Sequence, residues 1–222
     1  HYKLKGAKMT KLYLYLLLIL LLYHITLAQS GWEWQNPKPQ GNSLSTVQAL
    51  DANTFLAWGQ NETQIKTTDF GNTLEIKYNI IDSTRSIKRV HFVNSSVGFG
   101  VGFGDKIMKT TDGGNSWTEI ATNTFYGYDD VFFLDENYGW AVGGSFSIAL
   151  TTDGGINWDI KTPGNAGFLQ SVYFVDQNTG WVVGNFGIIY KSTDGGNNWT
   201  QQTSPTTSTL VEVKFLTPNL GY

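Results

Sequence analysis

Carboxylates at a fixed spacing are the first candidates for chemistry in this chain of 222 residues. Asp69, Asp112, Asp153 and Asp194 occupy the same place in an eight-residue motif that recurs as Thr67 to Leu74, Thr110 to Trp117, Thr151 to Trp158 and Ser192 to Trp199. The aspartates follow one another at intervals of 43, 41 and 41 residues. A ring of such acids could hold cations or a partner. The mechanical reading of the same residues is stronger. Aspartate accepts backbone N–H bonds across a tight turn. Gly114, Gly155 and Gly196, each preceded by another glycine, supply positive φ. Trp117, Trp158 and Trp199 then offer a broad apolar face to wedge between neighbours. One such turn per repeat is what the stability of every repeat requires. The first copy carries Phe70 in place of glycine and Leu74 in place of tryptophan, so its turn is expected to be looser or rebuilt.

The remaining polar residues support little catalysis. Asp129-Asp130 is expected on a loop between repeats, and Asp135-Glu136 on the turn that follows. Two carboxylates flanking one bond are the equipment of a glycosidase, but adjacent acids on a loop usually form a solvated edge. His91 is the single histidine after residue 28, too few for a histidine-rich metal site, and nothing specifies the neighbours of a Ser-His-Asp triad. Cysteine is absent, which excludes thiolate zinc sites and cysteine nucleophiles. No catalytic residue, no metal site and no cofactor is therefore expected. Phe125, Tyr126 and Tyr128 stand on a connection between repeats and form a possible ligand surface, with Trp32 and Trp58 also placed near loops or strand ends. The competing reading is that these rings plug the gap between neighbouring repeats.

The elements that position these residues are strands. A period near 40 with strand-like spacers signals an all-β β-propeller, one four-stranded blade per period. First strands run through Val90-His91-Phe92, Val131-Phe132-Phe133, Val172-Tyr173-Phe174 and Val213-Lys214-Phe215, with Val47-Gln48-Ala49 a weaker member. Second strands include Trp140-Ala141-Val142-Gly143 and Trp181-Val182-Val183-Gly184, whose small residues suit crowded inner positions. Blades are expected over about 44–86, 87–127, 128–168 and 169–209, with the next beginning at 210–222. Residues 31–37, with Trp34 lying 13 residues before Val47 where the motif tryptophans stand 14 before Val131, Val172 and Val213, are expected to be a closing fourth strand. Its partner strands do not follow before Tyr222, so the propeller is expected to be incomplete at its C-terminus.

Residues 1–28 have the layout of a secretory signal peptide: Lys11, an apolar run from Leu12 to Leu22, then Ala28 as the cleavage site, with the native start at Met9. An uncleaved membrane anchor is the rival reading. Cleavage leaves the domain at 29–222 with no stable membrane insertion, destined for the periplasm, the cell surface or secretion. That mature chain holds eleven basic and eighteen acidic residues, a net charge of −7. Such a balance argues against nucleic acid, which demands a basic stripe.

The pattern Ser/Thr-x-Asp-x-Gly-x-x-Trp is the Asp-box, or BNR repeat. The fuller unit, from Val172-Tyr173-Phe174-Val175-Asp176 through Gly180-Trp181-Val182-Val183-Gly184 to Ser192-Thr193-Asp194-Gly195-Gly196-Asn197-Asn198-Trp199, resembles the Ycf48/Hcf136-like propeller family over residues 31 to 222. The resemblance implies a photosystem II assembly factor-like fold and a non-enzymatic scaffold that binds a protein or glycan ligand on its loop face. The family's photosystem factor has an Arg-rich patch, whereas this chain has only Arg85 and Arg89. Asp-boxes also occur in sialidases, which need three arginines around the substrate carboxylate. These two, four residues apart, do not make that triad. Two alternatives to the scaffold stand: a polysaccharide-active hydrolase with acids partly beyond residue 222, and a photosystem II assembly factor in the family's named sense.

Overall fold

Alternating apolar and polar residues, cut every five or so positions by Asn, Asp and Gly turns, dictate short antiparallel strands with one face buried. The computed structural model describes residues 41–78, 86–102, 104, 106–121, 127–144, 147–164, 167–217 and 219–222. These belong to a unit spanning Gln40–Tyr222. The expected signal peptide, Trp32 and the expected closing strand at 31–37 lie outside the described residues.

Four four-stranded meanders follow one another. The first comprises β1 (Leu44–Ala49), β2 (Phe55–Gly59), β3 (Gln64–Thr67) and β4 (Glu75–Lys77). The second comprises β5 (Ile87–Phe92), β6 (Gly98–Gly102), β7 (Lys106–Thr110) and β8 (Thr118–Ala121). The third is β9 (Tyr128–Phe133), β10 (Gly139–Gly143), β11 (Ile148–Thr151) and β12 (Asp159–Lys161). The fourth is β13 (Leu169–Phe174), β14 (Gly180–Gly184), β15 (Ile189–Ser192) and β16 (Thr200–Gln201). A two-stranded sheet, β17 (Phe215–Thr217) and β18 (Leu220–Gly221), completes the described residues. Strand order is sequence order and every pairing is antiparallel, so each sheet is a propeller blade. No α-helix occurs among the described residues.

The first strands β1, β5, β9 and β13 pack against one another and form the axial side of the blades. Each carries one extra residue against its partner: Ser45, Lys88, Asp129 and Gln170 fall at the register shifts. A bulge of this kind sharpens the twist where a strand enters a crowded rim. The last residue of β10, Gly143, meets that bulge directly, since a β-carbon there would lie 2.6 Å from the Tyr128 Cα. The small residue expected at a crowded inner position is crowded by its own blade's first strand.

Aromatic stacking joins the blades. Phe99 of β6 stacks on Phe133 of β9 with ring centroids 3.5 Å apart, and Trp140 of β10 stacks on Phe174 of β13 at 3.5 Å. Trp181 of β14 repeats the contact on Phe215 at 4.0 Å. Phe92, Phe133, Phe174 and Phe215 each also lie on a glycine of the strand that follows; a β-carbon at Gly180 would stand 2.5 Å from the Phe174 ring. The motif tryptophans then stand edge-on to the same rings: Trp117 on Phe92, Trp158 on Phe133 and Trp199 on Phe174, at 5.9, 5.9 and 5.8 Å. Perpendicular aromatic contacts of this geometry add roughly 0.5–1.5 kcal/mol beyond the area they bury.

Candidate functional site

The Asp-box turns close on themselves. In the second copy the Thr110 hydroxyl donates to Asp112 Oδ1 at 2.8 Å while accepting from the Gly114 N–H at 3.0 Å. The other end of the turn returns to the same carboxylate, the Ser116 N–H to Oδ1 at 2.9 Å and the Ser116 hydroxyl to Oδ2 at 2.6 Å. The third and fourth copies repeat this with Asn157 on Asp153 and Asn198 on Asp194. Partial burial pushes the Asp112 carboxyl upward, but the Ser116 and Thr110 donors outweigh it and hold it down at about 2. Backbone and side-chain bonds from Thr73, Asn157 and Asn198 likewise lower Asp69, Asp153 and Asp194. Both oxygens of each carboxylate are thus engaged within the turn.

The first copy keeps the whole network, with Thr73 donating from both its N–H and its hydroxyl to Asp69. It is therefore not loose. Phe70 takes the place of the first glycine at φ 65°, a strained setting for a bulky side chain, and meets Phe55 edge-on at 5.8 Å.

Each later turn offers its first glycine carbonyl to the preceding blade. Lys66 Nζ donates to Gly113 O at 2.7 Å, Lys109 Nζ to Gly154 O at 2.7 Å, and Trp140 Nε1 to Gly195 O at 2.9 Å. The boxes are clamps between blades.

The site with free chemistry lies on the axis. A cleft of about 210 Å³ is walled by first-strand residues of all four complete blades and of the segment leading into β17. The repeat places Thr46, Arg89, Asp130, Ser171 and Glu212 in one layer, and Gln48, His91, Phe132, Tyr173 and Lys214 in the next. Between the layers stand Val47, Val90, Val131, Val172 and Val213, the last four turned into the core.

Several axial side chains bridge to the following blade. Arg89 Nε lies 3.3 Å from Asp130 Oδ1. Asp130 Oδ2 accepts from the Ser171 hydroxyl at 2.8 Å and from the Val172 N–H at 3.0 Å, and Ser171 Oγ accepts from the Val213 N–H at 3.3 Å. His91 Nε2 meets the Phe133 carbonyl at 2.9 Å, and the Tyr173 hydroxyl donates to the Phe215 carbonyl at 3.1 Å. Burial raises the Asp130 pKa despite the Arg89 charge and its three hydrogen-bond donors. Burial also lowers His91, only partly offset by the Phe133 carbonyl, so the imidazole is neutral at neutral pH. Lys214 and Glu212 pair at 2.9 Å; the contact raises the lysine and lowers the glutamate.

Two expectations need correction. Asp129-Asp130 lies within β9 rather than on a loop: Asp129 pairs with Lys88 of β5, and Asp130 is buried. A Tyr-Asp-Asp run can enter a strand because each acid finds a cation on the neighbouring blade. Tyr128 and Trp58 are not exposed. Both are buried, Tyr128 in the core with Phe99 and Val131, and Trp58 edge-on to Trp117 at 5.0 Å. For these two rings the gap-filling reading holds. Phe125 and Tyr126 lie outside the described residues. Sequence reasoning missed the Arg89–Asp130 pair, whose signal was opposite charges at one repeat position in successive blades. Among the described residues no group of three or more His, Asp or Glu side chains could hold a metal ion, and no helix is long and apolar enough to cross a membrane.

Blades of this construction, clamped by these turns, define an Asp-box β-propeller. Residues 116–211 match the family model described as photosynthesis system II assembly factor YCF48. The matched residues carry the third and fourth Asp-box turns. The fold is similar to YCF48 solved with a D1 peptide, at 17% identity and a TM-score of 0.50, covering 82% of this chain and 90% of that one. It is also similar to YCF48 from Cyanidioschyzon merolae, at 20% identity and a TM-score of 0.68, covering 82% of this chain and 63% of that one. An ancestral GH74 enzyme shares the fold at 22% identity and a TM-score of 0.63, with 80% of this chain matching 26% of the enzyme. No curated protein matches the chain at a significant level.

Proposed function

We propose that this chain is an exported, non-enzymatic scaffold that binds a protein segment on its loop face, in the manner of the Ycf48-like propellers it resembles. The observation that carries the reading is the match of residues 116–211 to the YCF48 family model. The YCF48 structure that contains a D1 peptide supports a peptide as the kind of ligand. The acids favour binding over hydrolysis. Asp129 and Asp130 are taken up by Lys88, Arg89 and Ser171, and Asp135 caps its own turn through the Asn137 and Tyr138 N–H groups. A hydrolase needs one acid free to give up a proton and another free to attack or to activate water.

The test is a parallel screen of the full chain against a displayed peptide library and a glycan array, with reducing-sugar release followed on a polysaccharide panel. Enrichment of peptides without sugar release is expected. Turnover of any polysaccharide, or glycan enrichment without peptides, overturns the reading. Export is checked separately by fusing residues 1–40 to a periplasmic reporter, which should become active and lose the leader.

A further inference from the structure

The axial cleft contains a donor fork that the clamps between blades leave unused. Arg89 is oriented through its Nε by Asp130, which is fixed in turn by Ser171 and Val172. Among the described residues its two Nη groups donate to nothing, and the side chain lines the cleft. Its charge also reaches Glu212 and Lys214 across the cleft. A guanidinium held at one nitrogen, with its other two nitrogens left over, is matched in geometry by a planar carboxylate.

The adjoining wall is aromatic. His91 and Phe132 lie 5.1 Å apart by ring centroid, and Phe132 and Tyr173 lie 4.8 Å apart, so three half-buried rings form an arc along the same cleft. Lys214 and Glu212 close the far side as an ion pair. Arg89 and Lys214 are balanced by Asp130 and Glu212, so the cleft offers an anion directional bonds and ring contact rather than net charge, and each negative charge beyond the first adds only a desolvation cost. At about 210 Å³ the cleft is below the size of ordinary cofactor pockets, which begin at roughly 300 Å³.

We propose that the axial cleft is a binding site for a small aromatic carboxylate, gripped by the Arg89 Nη groups with its ring against Phe132 and Tyr173. This site is separate from the loop-face peptide site proposed above, and either can fail without the other.

The probe is benzoate, titrated into the full chain by calorimetry beside benzamide and acetate. Benzoate should saturate and exceed both by about tenfold or more, because benzamide lacks the charge and acetate the ring. Arg89→Lys keeps a cation opposite Asp130 but removes the fork, and should weaken benzoate by about tenfold. Should that variant melt early, Phe132→Ala decides instead: the preference for benzoate over acetate should collapse. Equal binding of benzoate and benzamide, absence of saturation, or a folded Arg89→Lys that binds like the parent overturns the proposal. So does a Phe132→Ala chain that keeps its preference.

Discussion

The seam between the third and fourth blades and the axis of the same blades obey opposite rules. At the seam Trp140, Phe174 and Trp199 restate the Phe99, Phe133 and Trp158 of the seam before, with nearly the same distances. On the axis no two successive blades agree: arginine, aspartate and serine follow one another in one layer, and histidine, phenylalanine and tyrosine in the next. Where a contact must be made by every blade, one solution is copied. Where a surface faces the open centre, the copies are released to diverge. Within one repeat protein the columns that differ from blade to blade point to recognition, and the columns that repeat point to stability.

The contrast breaks most readily at the seam. Phe174→Ala should cost about 3–5 kcal/mol in urea unfolding, because the ring lies between Gly180 and Trp140 with nothing able to fill its space. Phe132→Ala, one blade earlier on the axis, should cost about 1 kcal/mol, since its ring is only half buried. Equal losses would dissolve the distinction. Gly154→Ala should cost about 2 kcal/mol, as Gly154 holds φ 71° and its new β-carbon would stand 2.7 Å from the Glu136 carbonyl.

Acid sharpens the comparison further. The box carboxylates have folded pKa values below 3.8, so their stabilisation is complete above that value and fades as pH falls toward about 2, the value for Asp112. The melting temperature should drop through this window, and Asp112→Asn should make the drop shallower. A melting curve indifferent to pH there would mean that the boxes contribute little. The smallest effect belongs to Trp58→Phe. The Trp58 N–H is buried with no hydrogen-bond partner among the described residues, so its removal should change stability by less than about 1 kcal/mol.

The seams were legible because their residues recur: the box spacing, with the second-strand aromatic of β6, β10 and β14 and the Val-x-Phe of β5, β9 and β13, identifies a four-stranded blade from sequence alone. The axis was less legible for a physical reason. Asp130 looks solvated among its sequence neighbours, and only the neighbouring blade, 41 residues away, supplies the Arg89 that permits its burial. Trp58 misled in the opposite way. It sits where later blades place Val101, Val142 and Val183, all buried, but its position before Gly59 suggested a strand end.

The side-chain clamps onto backbone carbonyls point one way along the chain. Lys66, Lys109 and Trp140 each wait on one blade for the glycine carbonyl of the next, and on the axis His91 and Tyr173 wait for the carbonyls of Phe133 and Phe215. In these five contacts the side chain is translated before the carbonyl it meets. A blade leaving the ribosome meets a finished dock, so the propeller can grow in the order of synthesis without holding an unfolded stretch longer than one repeat.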